Sequence, residues 1–230
     1  MFNFIARKLQ VHEGERLTVA ILFLHYFLVS AAVIAGKSAR DAFFLSHFDK
    51  SDLPLMYLAN AVVVAAAMAV FSRLSKKLSP GAGVAATLGF FSLSLFLISL
   101  KLDGWMIGVL YVWMEVIGAV AVLQAWILTG NAFDPRQAKR LFGVIAAGGS
   151  IAAWAGGSSI SWFVTRFGSS PLISVVAGAL ALSIFTGFFG SKRQAPRPKA
   201  RPAPKQTTSG RLKLNPYLVS IATLIAAASI

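Results

Sequence analysis

A chain of 230 residues that is 57% hydrophobic and 13% charged, with a mean hydropathy of +0.70, stands apart from soluble domains, which are roughly 45–50% apolar. This composition excludes an ordinary globular enzyme or binding domain. A net charge of +14 without a single cysteine excludes disulfides and thiolate metal sites, and no cofactor, metal or catalytic residue is expected.

The N-terminal segment 1–16, MFNFIARKLQVHEGER, is amphipathic. A full-length apolar run follows it, not a short one with a small-residue cleavage site, so it does not read as a cleavable signal peptide. That run, LTVAILFLHYFLVSAAVIA from Leu17, has about the 20 residues that cross a bilayer. It leads into GKSARD, and Ala31 to Ser38 comes within one residue of the GxxxxGK[ST] phosphate loop. A phosphate loop needs a strand feeding a glycine-rich turn. Here a membrane helix precedes Gly36 and no other glycine is near, so nucleotide hydrolysis is rejected.

At 100° per residue, Tyr26, Ser30, Lys37, Arg40 and Asp41 share one face of this first helix. Two readings stay open. Either the helix runs on through Phe44 and the cations line a cavity, with Asp41 competing for Lys37 four residues away, or it ends near Ala35 and they anchor at the headgroups. His25 lies off the stripe and reads as a packed, hydrogen-bonded histidine.

Further apolar runs cover Pro54–Ser72, Ala82–Leu100, Trp105–Leu128, Phe142–Val164 and Pro171–Phe189. In the second, Asn60 follows Tyr57 by about one turn, as a cavity contact or as glue between helices. The fourth carries Glu115 ten residues from Trp105, about 15 Å deep and near the bilayer centre. A central carboxylate costs roughly 2.5–3.5 kcal/mol and faces a bundle interior or a watery cavity. Tyr111 and Gly118 share its face; Gln124 points away. Glu115 is therefore a candidate for substrate binding or coupling, against the alternative of a hydrogen bond that holds a neighbouring helix. In the fifth run, Gly149, Ala153, Gly156, Gly157 and Ser161 suit close helix packing, not a dinucleotide fold.

The expected fold is all-α, a six-helix transmembrane bundle over 17–190. A basic, proline-rich linker occupies 191–215, and its prolines and charges make it an extended tether. The run over 216–230 is the start of a seventh helix. At 1.5 Å per residue it reaches only about 22 Å, so the chain is expected to stop inside a span, with a second bundle beyond residue 230. With the N-terminus inside, seventeen of the 22 Lys and Arg residues fall in internal segments and five outside. This asymmetry predicts a cytoplasmic N-terminus and accounts for the net charge with anionic lipid as the partner. No nucleic acid is expected, since the linker has no interleaved aromatics to stack bases. Two rigid halves joined by a flexible linker are the layout of a secondary transporter.

The run LFLHYFLVSAAVIAGKSARDAFFLSHF, together with YVWMEVIGAVAVLQAWILTGNAFDPRQAKRLFGVIAAGGSIAAWAGG, resembles the ATP/ADP translocase family of nucleotide exchangers and its bacterial relatives over roughly residues 14–165. The loop FSRLSKKLSPG resembles the basic loop at that place in major facilitator transporters. The most specific features are Glu115, Asn131 and Ala138–Arg140. The resemblance implies twelve helices, of which this chain carries the N-terminal half, and nucleotide exchange across a bacterial inner membrane. It also implies that the basic residue before an aspartate, here Arg40 before Asp41, acts with Glu115 in transport. That family typically has lysine where Arg40 stands; here the lysine is three positions earlier, at Lys37, which leaves the substrate open. The anionic substrate is expected to meet Lys37, Arg40, Glu115, Tyr26, Tyr111 and Asn60, with Asp41 and Glu115 as pairing or coupling groups. A permease for another solute, proton-coupled through Glu115, and a non-transporting membrane scaffold are the alternatives.

Overall fold

The computed structural model describes residues 11–49, 51, 53–102 and 104–193. The chain divides into two units, Met1–Pro196 and Arg197–Ile230. The second unit, with most of the linker 191–215 and all of the seventh apolar run 216–230, lies outside the described residues, as do residues 1–10 of the amphipathic N-terminus.

The described residues are helical and contain no strand. A 3-10 turn, Glu13–Glu15, precedes α1 (Arg16–His47), α2 (Leu53–Leu74), α3 (Pro80–Ser99), α4 (Trp105–Ala132), α5 (Pro135–Phe167) and α6 (Ser170–Ser191). All six helices are long and apolar enough to cross a membrane, and the protein is a multi-pass helical membrane protein. In hydrocarbon every backbone N–H and C=O must be satisfied inside the protein, and a continuous apolar run of this length does so through its own helical bonds.

Boundaries follow local chemistry more than hydropathy. Pro80 and Pro135 open α3 and α5, where their fixed φ and missing N–H suit the first turn. Gln137 Oε1 accepts the Asp134 N–H at 3.0 Å and Ser79 Oγ accepts from Ala82 N–H at 3.4 Å. This is why α5 begins seven residues before the apolar run that marks it. Gly168 ends α5 at φ +82°, a left-handed conformation that glycine adopts without strain.

The first helix resolves an open alternative. It does not stop near Ala35; α1 continues unbroken for 32 residues, about 48 Å. Gly36 lies inside it, packed so closely against the Met114 side chain that a Cβ would collide. The cations beyond Gly36 find a carboxylate on α4, so they do not have to turn out to the headgroups.

α1 packs against α4, α5 and α6, α3 against α6 and α4, and α2 against α4. The core where they meet contains Leu22, Val29, Leu88, Ile117, Leu128 and Ile173, all nearly inaccessible. Lipid tails are as apolar as these side chains, so van der Waals fit, small residues and interhelical hydrogen bonds hold the bundle. Ser92 Oγ donates to Ala177 O at 2.8 Å, and Trp113 Nε1 donates to Ser94 Oγ at 2.8 Å. Such bonds average about 0.6 kcal/mol each. Leu55, Leu58 and Val62 on α2 stay exposed, and Asn60 is its one buried residue.

Candidate functional site

Glu115 stands at mid-length on α4 and faces α1. Its Oε1 accepts from Arg40 Nη1 at 2.6 Å and its Oε2 accepts from Lys37 Nζ at 2.9 Å. One carboxylate thus bridges two cations that the helical repeat places one turn apart. The stripe read on α4 assembles around it. Tyr111, one turn before, lies beneath the Arg40 guanidinium at 4.3 Å from Cζ to ring centroid, and its carbonyl accepts from Arg40 Nη1 at 3.2 Å. Phe44 closes the other side of that ring at 4.7 Å. Gly118, one turn after, leaves room for the arm of Lys37: a Cβ there would lie 3.3 Å from Lys37 Cε and 3.3 Å from Val33 Cγ1.

The two cations differ in what they have left to offer. The Arg40 side chain is 7% exposed and Nε donates to Asp41 Oδ1 at 3.0 Å, so its fork is shared between two carboxylates, a carbonyl and an aromatic face. Asp41 does not partner Lys37, as the four-residue spacing suggested. Arg40 takes it instead, through Nε, while Lys37 turns to Glu115. The Lys37 side chain is 39% exposed and spends one of its three N–H donors on Glu115. It is the more accessible of the two cations.

The other sequence candidates lie elsewhere. Tyr26 packs on Trp126 at 5.0 Å between centroids and lines a cleft between α1, α4 and α5, away from the carboxylate. Asn60 is buried on α2 with its Oδ1 unbonded among the described residues. It does not join the Lys37–Glu115–Arg40 cluster by any hydrogen bond. Gln124 points away from the cluster, toward α3, and donates to Thr87 Oγ1 at 3.3 Å. His25 is packed: Nδ1 contacts Ser183 O at 3.1 Å and Thr186 Oγ1 at 3.0 Å, with Gly187 making way for its ring. Among the described residues no group of three His, Cys, Asp or Glu is placed to hold a metal.

A second polar junction escaped the sequence reading. Glu15, before α1, accepts from Arg140 Nη2 at 2.6 Å and from Gln137 Nε2 at 2.9 Å on α5. Arg140 reads as one more topology-setting cation; only its one-turn spacing from Gln137 hinted at a shared partner. No family model, no curated protein and no solved structure matches this chain.

Proposed function

We propose that the chain is the N-terminal bundle of a secondary transporter of major facilitator type, exchanging nucleotides or related phosphorylated anions by alternating access and hydrolysing nothing. The observation that carries this reading is the Lys37–Glu115–Arg40 cluster, which joins the second half of α1 to the middle of α4 inside two membrane-crossing helices. A charge in the membrane interior is costly, so such a cluster is by default a functional site. Glu115 here fills the place of an anionic ligand. A phosphate that enters the cavity meets Lys37, takes over its free donors and displaces Glu115 from Nζ, while Arg40 keeps the carboxylate from becoming an unpaired charge. When the phosphate leaves, Glu115 returns. A carrier that must exchange one anion for another needs such an internal substitute.

The role of ligand cation goes to Lys37, and Arg40 is the positioning residue. The accessibility of the first and the burial of the second support that division. The excess of basic residues in the segments on the N-terminal side supports a cytoplasmic N-terminus; the bacterial inner membrane and a second bundle that supplies the other half of the path belong to the transporter reading itself. The test is uptake of labelled ADP into proteoliposomes that hold this bundle together with the second, with and without nucleotide inside. Uptake should need the internal nucleotide and should vanish in Lys37→Gln. Uptake of no nucleotide at millimolar concentration, or full exchange by Lys37→Gln, would sink the reading.

A further inference from the structure

We propose that the cleft between α1, α4 and α5 receives the uncharged, ring-bearing body of the organic anion whose charged group meets Lys37. This rests on the reading of the protein as an anion carrier and adds a second, separate binding element to it.

The cleft has a volume of about 400 Å³ and is walled by Tyr26, Ser30, Val33, Val122, Gly149 and Ser150. That size is within the roughly 300–1,000 Å³ of small-molecule sites, which combine apolar walls with a few placed polar groups. The polar groups here are three hydroxyls, on Tyr26, Ser30 and Ser150. None of them is hydrogen-bonded to a described residue. Ser30 is the telling one, since it is 8% exposed. Ser38, Ser158 and Ser183 turn their hydroxyls back to their own helix, to Ile34 O, Trp154 O and Ala179 O. Ser30 gives up that bond and presents its hydroxyl to the cleft instead. That hydroxyl is open to the cleft and can bond a ligand donor or acceptor there.

The cleft and the charge cluster are neighbours along α1, with Val33 between them. Val33 lines the cleft, and Val33 and Lys37 together cover Gly118. Seven residues of α1 separate Ser30 from Lys37, about 10.5 Å. A phosphorylated compound with its charged end at Lys37 can therefore lay a ring between the hydroxyls. Gly149 keeps the wall open, since a Cβ there would lie 2.6 Å from Tyr26 Cε1 and 3.2 Å from Ser30 Oγ. The inorganic part of the ligand meets charge; the organic part meets the cleft.

The experiment is equilibrium binding of labelled ADP and of labelled pyrophosphate to the purified protein in lipid nanodiscs. Ala153→Leu narrows the cleft from its rim and should weaken ADP binding at least tenfold. Ser30→Ala removes one hydrogen bond and should weaken it roughly three- to tenfold, with Ser30→Thr restoring it. Neither variant should change pyrophosphate binding by more than twofold, whereas Lys37→Gln should weaken both ligands. Cleft variants that leave ADP unchanged, as they would were the cleft a groove for lipid, overturn the proposal, and so do variants that weaken both ligands alike. In either case an effect of Lys37→Gln on both ligands would leave the transporter reading standing. If the unmodified protein binds neither ligand, the anion reading fails and the cleft assignment falls with it.

Discussion

Lys37 and Arg40 differ by one guanidinium and three positions, yet their surroundings assign them different consequences. Arg40→Gln removes a nearly inaccessible charge that holds Glu115 and Asp41. Glu115 keeps Lys37 and Asp41 is half exposed, so the cost is below the roughly 3–5 kcal/mol of leaving a buried charge with no partner. The expected outcome is a clear drop in thermal melting temperature in detergent. Lys37→Gln removes a partly exposed partner of the kind worth about 0–1 kcal/mol, so it should melt near the unmodified protein while losing anion binding. Arg40→Lys keeps the charge but cannot bridge Glu115, Asp41 and the Tyr111 carbonyl at once, and it should melt between the two. If Lys37→Gln proved the more destabilising change, the division of roles would be reversed.

At the scale of elements, the contact of α1 with α5 depends on a glycine that hydropathy does not single out. A Cβ on Gly148 would lie 2.9 Å from the Phe23 carbonyl oxygen, and backbone cannot step aside as a side chain can. Gly148→Ala should therefore push the helices apart and cost roughly 1–3 kcal/mol. Gly143→Ala on the same helix, with nothing within 4 Å, should be neutral or slightly stabilising, because alanine favours helix by up to about 1 kcal/mol. Melting temperatures of the two variants give the comparison. The same pair of helices is latched at one end by Glu15. Glu15→Gln loses the charge on the 2.6 Å contact with Arg140 and should speed amide exchange in the first turn of α1 while leaving the exchange of α6 unchanged.

At the scale of the whole molecule, the contacts show how the helices alternate. A Cβ on Gly81 at the start of α3 would lie 2.6 Å from Ser191 Oγ at the end of α6, while Ser99 and Ser174, at their opposite ends, are 3.4 Å apart. Helices α3 and α6 therefore run in opposite directions, whereas α1 and α5, joined start to start through Glu15, run in the same one, so the orientation of one helix fixes the others. Because the chain has no cysteine, single cysteines report topology cleanly. With a cytoplasmic N-terminus, Ser191→Cys and Ser209→Cys in intact cells should resist an impermeant thiol reagent until lysis, while Ser46→Cys at the far end of α1 should react at once. The reverse pattern would invert the protein in the membrane and undo the basic-residue argument.

How much of this was legible beforehand varied with the physics involved. Six helices were readable because bilayer thickness sets their length and hydrocarbon forbids other backbone structure. The stripe of Tyr111, Glu115 and Gly118 was readable because 3.6 residues per turn put them on one face. The same rule placed Lys37 and Arg40 together, and it predicted that Gln124 would point elsewhere. It could not say whether α1 continued past Gly36, because that depended on a carboxylate 78 positions away waiting on α4. Nor could it give Asp41 to Arg40, or separate Tyr26 from Lys37 although both lie on one face; neighbouring helices divide that face between a cleft and an ion cluster. Periodicity along one helix lists which residues can act together. Which of them do is decided by the partner opposite, and helix packing across the bundle, through glycines such as Gly118 and Gly148 that let backbones close in, makes that choice.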